Sequence, residues 1–483
     1  MSENYTFKLK PFEHQMEALK KSLNKVDYAL FCEMGTGKSK ILIDTIGFLY
    51  AKKQLNGALI IAPKGVYKNW ERLEITKHMP DVILETTDIV GWSPSMTKKA
   101  RCPLDAALKP SDRLRIVVMN IEALSTDKGT EYALKFVKSC KCMVAVDEST
   151  TIKNIKAKRT KNIMKVGSHA AFRRIMTGSP ITQSPMDLYS QCTFLGPWHL
   201  GHRSFFSFQN RYARIVRRNL GSHSFNQVVG YQNLDELSSK LDGFSYRILK
   251  KDCLDLPEKV YVKRSVEMNE WQARAYKQMK DNAVTFLEQG DMVTAQNVLT
   301  QILRLQQICS GFVKTDDGSV EKFPTNKLDE LMALLEETSG KVIIWAVFVQ
   351  DLNNIQAALA KEYGPGSVAV YAGSTGAEDR QKIVTDFQDP KSPLRFFVGQ
   401  SRTGGYGLTL TEASTVVYYT NSFDLEVRIQ SEDRAHRIGQ KNNVTYIDLV
   451  TEGTVEEKIL KALRNKINIA SEVLSEGYKE WLI

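Results

Sequence analysis

Five short runs of apolar, β-prone residues in the first 180 positions constrain this chain more than any other feature. They are Tyr28–Glu33 (YALFCE), Gly57–Pro63 (GALIIAP), Arg115–Asn120 (RIVVMN), Cys142–Glu148 (CMVAVDE) and Phe172–Pro180 (FRRIMTGSP), and each stops at a turn or a polar residue. Stretches between several of them, such as Ser39–Lys53, carry amphipathic helical spacing. Apolar strands alternating with helices imply a parallel sheet covered on both faces. The pattern returns at Lys341–Phe348, Ser367–Gly373, Arg395–Gln400, Thr415–Thr420 and Val444–Val450. Between the two blocks, from about Gln183 to Lys327, lie longer helical patterns with mixed aromatic and basic residues. The expectation is an α/β protein of two lobes joined through a largely helical region. At 483 residues the chain is too long for one core.

Charge divides the chain unevenly. The net charge is +11, but residues 1–250 hold 39 Lys and Arg against 22 Asp and Glu, while residues 251–483 hold 27 against 33. Within residues 151–250 the count is 16 against 4. That imbalance points to a polyanionic partner met by one part of the chain, with a merely solvated basic surface as the alternative. Apolar runs such as VIIWAVFV (Val342–Val349) are too short to span a bilayer, so no membrane association is expected. The N-terminus lacks an apolar signal segment, and the seven cysteines form no CxxC pair, which fits a reducing compartment. The size and the lack of a basic nuclear-localisation cluster favour the cytoplasm of a bacterial or virus-infected host cell, with the nucleus as the alternative.

The chemistry begins with CEMGTGKSK, which follows the first strand and opens a helix. Gly35 and Gly37 let backbone N–H groups crowd a phosphate chain, Lys38 reaches terminal phosphates, and Ser39 can ligate Mg²⁺. Cys32 stands where the strict pattern has glycine. About a hundred residues later a buried strand ends in two acids, Asp147 and Glu148, which are costly to bury without a partner. Beside a phosphate loop, Asp147 would hold the hydration shell of Mg²⁺ and Glu148 would deprotonate the attacking water. In QSEDRAHRIGQ, Arg434 and Arg437 are three apart and would share a helix face, where they could clamp a γ-phosphate. The expected cofactors are therefore ATP and Mg²⁺.

These motifs, DRAHRIGQ above all, resemble those of the Swi/Snf family of helicase-like ATPases in helicase superfamily two, and the resemblance covers nearly the whole chain. It implies two tandem RecA-like lobes with parallel β-sheets: residues 1–245 with a basic helical protrusion at about 183–245, and residues 246–483 with a helical insertion at about 265–325 and a brace helix at about 454–475. LKPFEHQ resembles the segment in which Gln15 would recognise adenine. Met34, Gly35, Thr36, Gly37, Lys38 and Ser39 would form the nucleotide loop, with Gly405 of the glycine-rich fifth motif. Gln430 would join Lys38, Asp147, Glu148, Arg434 and Arg437 in catalysis. Lys64 and Asn69 of LIIAPKGVYKNW, Lys153 and Asn154 of the acidic box's IKN tail, and Arg402 and Thr403 would face nucleic acid. RRIMTGSPI resembles the motif that couples ATP state to the track.

Three departures from the family pattern stand out: Ser149 and Thr150 replace the usual His-containing end of the acidic box, Ser179 replaces a threonine, and Thr409 an asparagine. The missing histidine bears on coupling rather than on hydrolysis. In HRSFFSFQNRYARIVRR the aromatics read as the buried side of a helix, with a base-stacking platform as the alternative, and Arg203, Arg211, Arg214, Arg217 and Arg218 as phosphate contacts. The resemblance thus implies a monomeric double-stranded-DNA translocase or remodeller serving repair, recombination or protein displacement. The alternatives are a strand-separating or branch-migrating helicase on DNA or RNA, and a non-catalytic nucleic-acid-binding scaffold.

Overall fold

The computed structural model describes residues 5–64, 66–94, 97–220, 223–288, 295–315, 318–404 and 408–474. They form two compact units, one holding the chain to residue 215, residues 228–255 and the end of the last helix from residue 469, the other built chiefly from residues 256–468.

The first unit is organised by seven strands: β1 (Asp27–Cys32), β2 (Gly57–Ala62), β3 (Thr87–Gly91), β4 (Leu114–Asn120), β5 (Cys142–Asp147), β6 (Phe172–Met176) and, after a separate hairpin of β7 (Ala213–Leu220) and β8 (His223–Tyr231), β9 (Ser245–Ile248). The sheet runs β3-β4-β2-β5-β6-β1-β9, and every pairing is parallel. The period of two shows in β5, where Val144 and Val146 enter one core and Met143 and Ala145 the other. Because all strands point the same way, the ends of β1, β5 and β6 open on one edge. That edge is where open α/β sheets bind ligands.

The second unit repeats the plan with β10 (Lys259–Val266), β13 (Lys341–Ala346), β14 (Val368–Tyr371), β15 (Phe396–Gln400), β16 (Ala413–Tyr418) and β17 (Val444–Thr451), after a small antiparallel pair, β11 (Phe312–Lys314) and β12 (Val320–Lys322). Its order is β10-β17-β16-β13-β15-β14, again parallel throughout. Ile343 and Trp345 pack on one face, Val342 and Ile344 on the other. Helices Glu270–Glu288 and Ala295–Cys309 form a third core with helix Val455–Val473, through Tyr276, Leu305, Ile308, Ile459 and Leu463.

Two expectations need correction here. The first sheet takes in β9, so the first unit continues past the expected boundary at residue 245. Among its described residues, the basic segment expected to be a helical protrusion is helical only at Asp187–Leu195, Phe205–Tyr212 and Leu234–Asp242; between the last two lies the β7–β8 hairpin. The β-branched pairs Ile215-Val216 and Val228-Val229 favour extended backbone there, and that preference overrides helical spacing. The aromatics divide as the helix demands: Phe208 and Tyr212 are fully buried, whereas Phe206 is exposed.

Candidate active site

β1 ends at Cys32, and the chain turns through residues 33–37 into the helix Lys38–Ala51. The turn requires its glycines, because Gly35 and Gly37 have φ of +82° and +90°. A Cβ on Gly37 would in addition stand 2.2 Å from Gln15 Nε2. Cys32 is the last, fully buried residue of the strand, and burial pushes its thiol up to about 12. The departure from the strict glycine pattern therefore sits in the sheet, where a small apolar residue packs well, and leaves the loop intact.

Helix Glu13–Ser22 supports the loop. His14 Nε2 lies 2.8 Å from the Thr36 carbonyl, and Gln15 Nε2 donates to the same oxygen at 3.1 Å. Gln15 Oε1 accepts the Phe12 N–H at 3.0 Å. The Gln15 amide thus links the helix start to the phosphate loop. Lys38 Nζ donates to the Cys32 and Glu33 carbonyls at 2.9 and 3.5 Å, within the loop itself. Ser39 follows it in the first helical turn.

β5 brings up the two acids. Asp147 Oδ2 accepts the indole N–H of Trp70 at 2.9 Å, and Oδ1 accepts the Glu148 N–H at 3.0 Å. Burial raises the Asp147 carboxyl; the Trp70 bond, the Lys38 charge and the Glu148 amide pull it back. Glu148 sits in the left-handed region at φ +47°, ψ +61°, a conformation that costs a non-glycine residue about 1–3 kcal/mol. Its Oε2 accepts the hydroxyl of Thr177, the first residue beyond β6, at 3.2 Å. Gly178 follows, and a Cβ there would stand 3.0 Å from the Met34 N atom of the phosphate loop. From edge strand β9, Arg247 Nη1 donates to both the Phe31 and Gly178 carbonyls, at 2.8 and 2.9 Å.

The edge of one sheet therefore assembles Gly35, Gly37, Lys38 and Ser39 after β1, Asp147 and Glu148 at the end of β5, and Thr177 after β6. Since β6 lies between β5 and β1, the acids stand about 10 Å from the loop strand, room for a phosphate chain and a hydrated ion. Among the described residues no three His, Cys, Asp or Glu side chains converge as a metal cage. One carboxylate backed by neutral donors fits Mg²⁺, which takes one or two protein carboxylates and completes its shell with substrate phosphates and water.

In the second unit, Gln430 lies on helix Leu425–Glu432 and its Nε2 donates to Glu426 Oε1 at 3.1 Å. Arg434 and Arg437 follow that helix instead of riding on it, a correction to the shared-helix-face expectation. The regular helix ends at Glu432 with Asp433 as its cap, and the chain then runs on in turns, with Gln440 N–H on the Arg437 carbonyl and Gly439 at φ +104°. The arginines nevertheless meet: Arg434 Nη1 and Arg437 Nη1 donate to the same Leu408 carbonyl, at 3.1 and 3.0 Å. Behind them Arg428 is buried with Asp448 and Glu432, and its guanidinium lies 3.5 Å from the Tyr418 ring centroid.

The expected nucleic-acid residues are dispersed. Lys64, Asn69 and Asn154 are exposed. Lys153 turns instead toward Thr182, donating to its hydroxyl at 2.7 Å. Arg402 is exposed with its Nη2 3.5 Å from Asp424 Oδ2, and the Thr403 hydroxyl lies 3.5 Å from Gln400 Oε1. Gly405 lies outside the described residues. Trp70, Thr177 and Arg247 were not singled out in the sequence, although Trp70 and Thr177 fall inside segments that were. The signal available for Trp70 was an indole donor in a segment otherwise given to nucleic acid.

Comparison with known protein families returns the SNF2-related domain over residues 14–312, more than half of the chain. The chain belongs to the SNF2-related family. The helicase conserved C-terminal domain matches residues 326–439 of this SNF2-related chain. Among curated relatives, chromatin structure-remodeling complex subunit snf21 of Schizosaccharomyces pombe is 26% identical over 94% of the chain and 38% of the relative. An uncharacterized ATP-dependent helicase of Mycoplasma pneumoniae is 27% identical over 94% and 41%. The chain thus spans about two fifths of the length of these two relatives. Of solved structures, the Sulfolobus solfataricus SWI2/SNF2 ATPase core in complex with dsDNA is 25% identical, with 97% of this chain and 95% of that one covered and a TM-score of 0.44.

Proposed function

We propose that this chain hydrolyses ATP and uses the cycle to translocate along double-stranded DNA, displacing or remodelling what is bound there. The observation that carries the reading is the convergence of Lys38, Asp147 and Glu148 at the ends of β1 and β5, with Thr177 bonded to Glu148. Family membership supports the same reading.

In this account the N–H groups of residues 34–39 and the Lys38 ammonium bind the β- and γ-phosphates, with Lys38 leaving the carbonyls of Cys32 and Glu33. Ser39 and Asp147 would hold Mg²⁺, which supplies charge neutralisation on the phosphates. Trp70 fixes the orientation of the Asp147 carboxylate. Glu148 accepts a proton from water as the water oxygen bonds to the γ-phosphorus and the bond to the β-phosphate oxygen breaks, releasing ADP and phosphate. Arg434 and Arg437, already gathered on one carbonyl, supply the positive charge that the transition state needs from a second element. Repair, recombination and protein displacement are the tasks such a motor serves, and a monomer is the state proposed for it.

The test is ATP turnover against duplex, single-stranded and forked DNA and duplex RNA, with a labelled strand in the fork. Stimulation by duplex DNA without strand release supports translocation. Release of the labelled strand would replace it with the helicase reading, and no turnover with any of them would leave only a binding scaffold.

A further inference from the structure

Behind the acidic box lies a polar chain that the catalytic account above leaves unused. Ser149 follows Glu148 and opens a 3₁₀ turn, Ser149–Ile152. Its hydroxyl donates to Gln191 Oε1 at 2.7 Å, and Gln191 Nε2 donates to the Pro180 carbonyl at 2.7 Å and to Asp187 O at 2.9 Å. Ser149 and Gln191 are both fully buried, at 0% exposure. The two carbonyls fix which end of the Gln191 amide is nitrogen, so the oxygen must face the serine. A buried amide with all these positions used sits where it does for a reason other than filling space.

Gln191 belongs to helix Asp187–Leu195, and that helix holds both loops. Ser190 Oγ donates to the Ile152 carbonyl at 2.5 Å, on the acidic-box side. Asp187 Oδ2 accepts the N–H groups of Thr182 and Gln183 at 2.9 and 2.7 Å, on the side of the loop after β6. Lys153 closes the circuit by donating to the Thr182 hydroxyl at 2.7 Å. The loop from Thr177 is therefore tied to the acidic box in front by Thr177 on Glu148, behind through Gln191, and at its far end by Lys153 on Thr182. It is buried at Thr177 and Thr182 and reaches solvent at Gln183.

We propose that Ser149 and Gln191 are positioning residues, a relay through which the Glu148 turn and the 177–183 loop shift as one body. The relay rests on the ATPase reading and adds what that reading lacks, a path by which contact at the surface of the loop sets the position of Glu148. Such buried networks modulate coupling between sites by about 2- to 30-fold.

The experiment compares wild type, Ser149→Ala, Gln191→Leu and the double variant in ATP turnover with and without duplex DNA, at saturating ATP and across ATP concentrations. Expected is a loss of duplex-stimulated kcat of about 2- to 30-fold in each single variant, with the KM for ATP unchanged. The double variant should be no slower than the slower single, because one relay can be broken only once. Stimulation at the wild-type level in either single variant, or losses that multiply in the double, would overturn the relay. Where Gln191→Leu fails to fold, Ser149→Ala with wild-type affinity for a non-hydrolysable ATP analogue decides alone, by the same stimulation ratio. A wild type that turns over no ATP on any duplex refutes the ATPase reading itself and the relay with it.

Discussion

The indole N–H of Trp70 bonds to Asp147 Oδ2 at 2.9 Å across 77 positions of sequence. Trp70 is buried, so the bond fixes the carboxylate in one orientation at the edge of the sheet. Outer-shell partners of this type alter metal affinity or activity about 10- to 100-fold when removed. Trp70→Phe keeps the ring and loses the donor. The half-saturating Mg²⁺ for ATP turnover should rise by about that factor, read from a magnesium titration, with the melting temperature within a few degrees of wild type.

Asp351 makes a separate, pH-dependent prediction. It is buried in the second unit with Oδ2 near the Thr420 and Ser310 hydroxyls, at 3.2 and 3.4 Å, and burial pushes its carboxyl to about 7. Lys327 and the Ser310 and Thr420 hydroxyls pull it down, Glu456 pushes it up, and Lys327 is itself bonded to Glu456 at 2.5 Å. The folded value lies above the unfolded one, so the stabilisation belongs to the protonated form. It is complete below about pH 4 and is lost as pH rises through about 7, a loss of up to about 4 kcal/mol. Unfolding followed from pH 5 to pH 8 should show this decline, and Asp351→Asn should flatten it. A decline as steep in the variant as in the wild type would refute the assignment.

How much of this was legible in the sequence depends on how local each signal is. The strands carrying the site were readable because Val144, Val146 and their neighbours declare burial on both faces, and the acids at 147 and 148 declare a strand end. The loop at 33–37 was readable because glycine spacing encodes backbone conformation directly. The Trp70–Asp147 and Arg247–Gly178 contacts were not readable, since they depend on which strands become neighbours. Arg434 and Arg437 had helical spacing but no helix: the chain had already turned after Glu432, whose carboxylate is held by Arg428, Lys259 and Tyr261.

The β7–β8 hairpin carries Arg214, Arg217 and Arg218, and residues 213–231 include no acid. Arg217 Nη2 donates to the Ser224 hydroxyl at 2.8 Å and Arg218 Nε to Gln227 Oε1 at 3.1 Å, both exposed. If these guanidiniums contact DNA phosphates, Arg217→Ala with Arg218→Ala should lower the slope of log affinity against log salt by about 2, read from duplex titrations. An unchanged slope would place the hairpin off the track.

Arg437→Ala removes one of the two guanidiniums on the Leu408 carbonyl. As a transition-state group its loss should cost about 10³- to 10⁵-fold in kcat while ATP binding stays close to wild type. Separate measurements of turnover and of nucleotide-analogue affinity check this. Loss of both together would mean that the residue holds the ground state instead.

The most direct test of the central claim is steady-state ATP turnover of Glu148→Gln beside wild type, with saturating duplex DNA. The exchange keeps the shape and an acceptor for the Thr177 hydroxyl but removes the base. The account predicts that the variant still binds ATP and duplex, with turnover about 10²- to 10⁴-fold lower. Turnover at the wild-type rate would contradict it.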